Sequence, residues 1–143
     1  LHAPGTFDRI LHIDNCLLQP EAANAILRFV SEYAQEHDLT PYNLKTHEGF
    51  LRFLVLRSSD YSGRIMVNIV TGYEDPEKLQ PLAELLRKQF PDVESVVNNI
   101  NERPAQIAFG DREILLAGSP YIEEKIGPYV FRISANSFFQ TNT

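Results

Sequence analysis

The feature of the sequence that most constrains the fold is a pair of apolar runs between Phe50 and Tyr73. Residues 51–56 and 65–70 are dominated by leucine, aromatic and β-branched side chains, and the sequence Ser-Ser-Asp-Tyr-Ser-Gly separates them at residues 58–63. Such runs with a Gly- and Ser-containing interruption predict a β-hairpin. Because apolar residues occupy both faces of each run, we expect other elements to cover both faces of the hairpin.

Two helices and a third strand are predicted around this hairpin. Pro20-Glu21 begins a run of helical periodicity that predicts a helix ending near residues 36–38. After the hairpin we expect a turn over residues 75–80 and a helix over residues 81–89, because Pro81 interrupts a longer helix. Residues 93–100 then form a strand. This order predicts an α+β fold, an antiparallel sheet with two helices packed on it.

The last third of the chain predicts additional short β-hairpins. Residues 107–109 and 114–116 flank Gly110-Asp111, a pair suited to a tight turn with positive φ at the glycine. Residues 121–122 and 129–133 flank a second loop. We expect these strands to extend the sheet, and no linker divides the chain before its end. Residues 1–134 therefore form one predicted α+β domain.

Composition places the chain among soluble globular proteins. Hydrophobic residues make up 43% of it and charged residues 22%, and no apolar run is long enough to span a bilayer, so no membrane partner is expected. One cysteine forms no internal disulfide, which is compatible with a reducing cytoplasm.

A net charge of −6 argues against a general affinity for nucleic acid. Locally, Arg52, Arg57 and Arg64 form either a solvated strand end or an anion site.

Familiar catalytic motifs are absent from the sequence. It contains no phosphate-binding G-x-x-x-x-G-K-[ST] loop, no G-x-G-x-x-G turn, no H-E-x-x-H and no G-x-S-x-G. His12 and Cys16 are four residues apart, but two ligands do not complete a zinc site. Taken alone, Cys16 is typical of a small buried hydrophobe.

Two stretches nevertheless resemble a known family. The first is GFLRFLVLR at residues 49–57, followed by GRIMV at residues 63–67. The second begins with SVVNNIN at residues 95–101 and ends with FRISANSFFQTN at residues 131–142. Together they resemble the central domain of the bacterial RNA 5-methyluridine methyltransferases, the RumA/TrmA-type enzymes. The closing pattern F-x-I-S-x-x-S-F-F-Q-x-N is the most specific part, and the resemblance covers essentially the whole chain.

The resemblance implies transfer of a methyl group from S-adenosylmethionine to carbon 5 of a uridine, with rRNA favoured over tRNA. In that family a cysteine attacks carbon 6 of the base and a general base then removes the carbon-5 proton. The resemblance places both groups beyond Thr143, so residues 135–143 would begin a truncated methyltransferase domain. An N-terminal RNA-binding domain would also be missing. We therefore expect a cytoplasmic enzyme of which this piece is inactive alone.

The resemblance implies functional roles for three residues. Gln140 corresponds to a glutamine near the cofactor and the target base, and Phe138 to an aromatic residue that lies against the extruded uracil. Cys16 corresponds to the fourth ligand of the 4Fe-4S cluster that some members hold, with three partners outside this chain. Structural alternatives stay open, because Ser137 and Gln140 also fit a helix capping box and Phe138 also fits a core position.

A different class of function is the alternative: a free-standing α+β regulatory or ligand-binding module without catalysis. The acidic charge and the lack of catalytic motifs favour it. The end of the sequence favours the enzyme, because a complete module is not expected to end on SFFQTNT at residues 137–143, a helix start with no helix to follow.

Overall fold

The computed structural model describes residues 3–6, 13, 15–105 and 107–139. These residues form two helices and six strands, which confirms the α+β class. In chain order the elements are α1 (Glu21–Glu36), β1 (Leu51–Ser58), β2 (Ile65–Thr71), α2 (Pro76–Gln89), β3 (Val93–Ile100), β4 (Arg112–Gly118), β5 (Ile122–Ile126) and β6 (Tyr129–Ile133). Neither helix in this part of the chain has the length and apolar character that crossing a membrane requires.

The first four strands form one sheet in the order β1-β2-β3-β4. The predicted β1–β2 hairpin is confirmed as an antiparallel pair, and β3 and β4 are also antiparallel. Strands β2 and β3 run parallel, so the sheet is mixed and the prediction of a wholly antiparallel sheet is wrong. The reason is that α2 carries the chain back across the sheet, and a parallel pair requires such a crossover.

Helix α2 is longer than the sequence predicts. It begins at Pro76 and continues through Pro81, so the prediction of a turn over residues 75–80 is wrong. Pro81 is exposed, whereas Leu79, Leu82 and Leu86 are fully buried against the sheet. A proline inside a helix costs about 3 kcal/mol, and burying one leucine contributes about 1.5–3 kcal/mol. Three buried leucines therefore outweigh the lost backbone hydrogen bond.

The two faces of the sheet are covered by different elements. Ile65, Val67 and Ile69 of β2 belong to an apolar core with the buried residues of α1 and α2. Met66 of β2 and Val97 of β3 belong to a second cluster, since alternate residues of a strand point to opposite faces. The structure therefore has a face covered by the helices and an opposite face, which we call the rear face.

Strands β5 and β6 pair as a separate two-stranded antiparallel sheet. The prediction that they extend the main sheet is wrong. Ile122 and Ile133 instead pack with Met66 and Val97 on the rear face. Their inward-facing isoleucines complete an apolar cluster that the main sheet alone leaves open, and this accounts for the stacked arrangement.

Residues 107–109 do not form the predicted strand. Gly110 is also not a positive-φ turn residue; in the last third of the chain, the described glycines with positive φ are Gly118 and Gly127. Gly110 is needed for close approach, because an added Cβ atom would lie 2.6 Å from the carbonyl oxygen of Ile100.

Candidate functional site

The closing segment, which we define as residues 134–139, lies against the rear face of the sheet. Ala135 is 2% exposed and packs in the apolar cluster around Met66 and Val97. The Nη2 atom of Arg57 in β1 donates a hydrogen bond to the carbonyl oxygen of Ala135 at 3.1 Å. The main chain of the motif that carries the family resemblance is therefore attached to the sheet at its start.

A chain of three asparagine amides makes a second attachment. Asn136 donates from Nδ2 to Oδ1 of Asn99 at 3.0 Å, and Asn99 donates from Nδ2 to Oδ1 of Asn68 at 2.9 Å. Asn68 and Asn99 are 1% and 0% exposed, while Asn136 is exposed. The sequence signal for this chain is the occurrence of asparagines within strands that are otherwise apolar.

Two serines form a turn within the closing segment. The backbone N–H of Ser134 donates to Oγ of Ser137 at 3.1 Å, and the two hydroxyl oxygens are 2.8 Å apart. The predicted capping box pairs Ser137 with Gln140, and Gln140 lies outside the described residues. Both the capping box and the cofactor role of Gln140 therefore stay predictions.

The two phenylalanines of the closing segment have different surroundings. Phe138 is 84% exposed, whereas Phe139 is half-buried and packs against the rear cluster. The rings of Phe139 and Phe131 are 6.2 Å apart between centroids. The alternative that Phe138 is a core residue is wrong, because Phe139 takes that position. The substrate role of Phe138 stays a prediction.

Cys16 is half-buried just before α1. Its backbone N–H donates to Oδ1 of Asn24 at 3.0 Å, and Nδ2 of Asn24 donates to the carbonyl oxygen of Cys16 at 3.1 Å. Asn24 is 5% exposed, so a buried amide fixes the backbone of Cys16. Among the described residues no group of three or more His, Cys, Asp or Glu side chains is arranged to hold a metal ion. As the single cysteine of the chain, Cys16 supplies at most one cluster ligand.

An open cavity of ≈ 690 Å³ lies between the start of α1, the end of β1 and the β5–β6 hairpin. Its walls include Leu18, Arg57, Tyr61, Ile126 and Phe139. The sequence did not predict this cavity, because its walls come from four distant stretches of the chain. Burial lowers the pKa of Arg57, which remains a cation at neutral pH.

Glu124 ties the β1–β2 loop to the β5–β6 hairpin. Its carboxylate accepts hydrogen bonds from the backbone N–H groups of Asp60 at 2.9 Å, Tyr61 at 3.2 Å and Lys125 at 2.8 Å. Desolvation by burial acts to raise the pKa of Glu124, but these backbone hydrogen bonds and one from the Ser59 side chain together outweigh it and lower the pKa. The carboxylate is therefore held in its ionised form.

The three arginines of the hairpin do not form one anion site. Arg52 donates to the carbonyl oxygens of Asn101 and Ala105 at 2.6 Å and 2.8 Å, and its guanidinium lies 4.1 Å from the ring centroid of Tyr42. Arg64 lies 3.5 Å from a carboxylate oxygen of Glu94. Arg57 binds the closing segment. Each arginine therefore contacts a different part of the chain.

Comparison with known proteins identifies relatives over nearly the whole chain. No family model matches the sequence. The chain is 43% identical to an uncharacterised RNA methyltransferase of Chlorobaculum tepidum over 99% of its length, and 37% identical to one of Halalkalibacterium halodurans over 94%. It spans about 30% of the length of these relatives.

A solved structure shares the fold. The tRNA (uracil-54, C5)-methyltransferase of Pyrococcus abyssi, in complex with S-adenosyl-L-homocysteine, matches 96% of the chain with a TM-score of 0.77 and 27% sequence identity. The match covers 32% of that protein. The resemblance to the RNA methyltransferases read from the sequence is thus confirmed.

Proposed function

We propose that this chain, a homologue of one segment of the RNA methyltransferases, is part of an enzyme that methylates carbon 5 of a uridine in RNA. Within that enzyme it would form the domain that seats the target base, with residues 1–134 as the α+β domain and residues 135–143 as the start of the methyltransferase domain. Alone it would be inactive. The remaining RNA-binding and catalytic domains of a cytoplasmic enzyme would come from outside these 143 residues.

The observation that carries this proposal is the contrast between a fixed backbone and an exposed ring. The closing segment is attached at Ala135 by Arg57 and at Asn136 by Asn99, yet Phe138 is 84% exposed. A flipped-out base needs a pre-positioned surface on which to stack. An aromatic ring that stands on an anchored segment provides such a surface at low entropic cost.

S-adenosylmethionine is the proposed methyl donor, and the solved relative binds the corresponding product, S-adenosyl-L-homocysteine. The donor is not assigned to the glycine turn that follows β2. The turn between β2 and α2 carries Gly72, but an added Cβ atom there would lie 2.8 Å from the carbonyl oxygen of Gly49, so protein backbone already fills that space. We assign to Gln140 a contact with the donor or the base through its amide.

Cys16 is proposed as one thiolate ligand of a 4Fe-4S cluster whose other ligands lie outside this chain. The amide of Asn24 holds the Cys16 backbone at two points, and Cys16 is half-buried and lines an open cavity of ≈ 430 Å³. These features suit a fixed ligand. Because one thiolate does not hold a cluster, no step of the reaction is derived through it.

The experiment uses the full-length protein that contains this chain. Purified enzyme is incubated with labelled S-adenosylmethionine and either rRNA or tRNA transcripts, and 5-methyluridine is measured by mass spectrometry of the digested RNA. We expect 5-methyluridine in rRNA. Product in tRNA alone would contradict the rRNA assignment, and absence of the modified base from both would contradict the proposed function.

Substitution of the stacking residue tests the site within the same assay. We expect Phe138→Ala to lower kcat/KM about ten- to hundredfold, because stacking of a base on an aromatic ring contributes about 1–3 kcal/mol. Tyr129→Ala is the matched control, since Tyr129 is also an exposed aromatic residue, at 68%. Equal losses in both variants would contradict a specific role for Phe138.

A further inference from the structure

We infer that the buried asparagines Asn68 and Asn99 are positioning residues that set the orientation of the closing segment, and through it the ring of Phe138. The inference rests on the proposed function, in which Phe138 contacts the target base. It assigns a role to residues that lie inside the sheet and do not themselves reach the substrate.

The geometry of the amide chain supports this role. The two hydrogen bonds, at 3.0 Å and 2.9 Å, run from exposed Asn136 through Asn99 to Asn68 in the neighbouring strand. Asn99 and Asn68 lie within the sheet, where packing leaves their side chains little freedom. Hydrogen bonds in such a low-dielectric interior are strong and directional. The position of Asn136 is therefore determined from inside the sheet.

Stability alone does not account for these residues. The rear face around them is apolar, with Met66 and Val97 fully buried, so aliphatic side chains at positions 68 and 99 would suit the cluster better. The Nδ2 atom of Asn68 is buried and has no hydrogen-bond acceptor among the described residues. An unpaired buried amide is unfavourable by itself and calls for another reason for the asparagine. Holding the closing segment in one orientation is such a reason.

The path from the amide chain to the ring is short. Asn136 precedes Phe138 by two residues, and the Ser134–Ser137 turn makes the intervening backbone compact. Arg57 holds the carbonyl oxygen of Ala135 on the other side of Asn136. Loss of the Asn136–Asn99 bond would leave the segment attached only at Ala135 and through the half-buried ring of Phe139, and the backbone between these two points could then change its orientation.

The test uses Asn136→Ala and Asn136→Asp in the full-length enzyme. Asn136 is exposed, so both variants are expected to fold. The aspartate has the same shape as asparagine but, when ionised, cannot donate to Asn99. We expect both variants to lower kcat for 5-methyluridine formation about tenfold, with KM changed less than twofold. A 4-fluorophenylalanine at position 138 is expected to give a shifted and narrower 19F resonance as the segment gains motion.

Asn98→Ala is the matched control. Asn98 directly precedes Asn99 in β3 and is 1% exposed. Its Nδ2 atom donates to the carbonyl oxygen of Ile69 at 2.8 Å and to Oγ1 of Thr71 at 3.0 Å, away from the closing segment. We expect Asn98→Ala to lower the melting temperature while leaving the 19F resonance and the kcat of the folded fraction unchanged. Equal losses of kcat in Asn98→Ala and Asn136→Ala would overturn the inference.

The NMR measurement separates this inference from the proposed function. Wild-type enzyme without uridine methylation would overturn the proposed function, and with it the role of Phe138 toward a base. In that case the 19F spectra would still decide whether the asparagines orient the segment. An unchanged 19F spectrum and unchanged kcat in Asn136→Asp would overturn the positioning role while leaving the proposed function in place.

Discussion

The helix-covered face of the sheet and the rear face use different interactions to hold what packs on them. On the helix-covered face, Ile65, Val67 and Ile69 meet an apolar core that includes Leu79 and Leu82. On the rear face the apolar cluster is smaller, and polar contacts complete it. These contacts are the asparagine chain from β2 and β3, the Arg57 bond to Ala135 and the Glu124 bonds to the β1–β2 loop.

The two faces therefore have different roles, one in the stability of the fold and the other in the orientation of the closing segment. Apolar burial is non-directional and roughly proportional to area, so the larger core on the helix-covered face contributes more apolar stabilisation than the rear cluster. Hydrogen bonds contribute less on balance but fix distances and angles. The rear face carries the closing segment, which the proposed function requires to be in one place. The protein therefore uses directional interactions on the face where orientation matters.

The largest expected effect is on the helix-covered face. Leu82→Ala removes a side chain that is 0% exposed between α2 and the sheet. We expect the free energy of unfolding to fall by about 2–5 kcal/mol, measured by urea denaturation. Leu85→Ala is the control, because Leu85 lies on the same helix and is 41% exposed. A loss of similar size in both variants would show that the buried leucines of α2 do not hold the helix on the sheet.

An intermediate effect is expected at the rear face. Phe139→Ala removes a half-buried ring that packs on the rear cluster and near Phe131. We expect a loss of about 1–2 kcal/mol in the free energy of unfolding, less than for a fully buried phenylalanine. Phe138→Ala is the matched control, with an expected change within about 0.5 kcal/mol. A larger loss in Phe138→Ala would mean that its ring is not free to meet a substrate.

The parts of the fold that sequence could predict are those with a local signal. The β1–β2 hairpin and α1 follow from runs whose periodicity and flanking residues agree. Helix α2 was predicted too short, since the three buried leucines that override Pro81 act through tertiary packing. The parallel β2–β3 pair was missed for a related reason: the direction of β3 depends on the path of that helix.

The candidate site also contains features that the sequence could predict and features that depend on tertiary structure. The closing pattern indicated Phe138 and Gln140 through resemblance, and the exposure of Phe138 agrees with a surface role. The amide chain through Asn68 and Asn99 was not predicted, because residues 31 positions apart meet only when β2 and β3 pair. The available signal in the sequence was a polar residue within an apolar strand, and this signal does not indicate which residue will be its hydrogen-bond partner.

The smallest effect is expected where the rear face meets the β1–β2 loop, and it depends on pH. Because the folded protein lowers the pKa of Glu124, the ionised carboxylate stabilises the folded state above its ordinary pKa of 4.5. This contribution is lost as the pH falls through the lower, folded-state pKa. The wild type should therefore exceed Glu124→Gln in free energy of unfolding at pH 7, and the difference should shrink towards pH 3.

The neighbouring carboxylate provides the control for this pH dependence. Glu123 pairs with exposed Arg132 at 3.5 Å, and it is the backbone carbonyl of Glu123 that accepts from Ser59. Glu123→Gln therefore removes a charge from the same strand while keeping the backbone contacts of the β1–β2 loop. Urea denaturation at pH 7, 5 and 3 compares the variants. A stability gap for Glu124→Gln that stays constant over this range would show that the hydrogen bonds, and not the charge, join the hairpin to the loop.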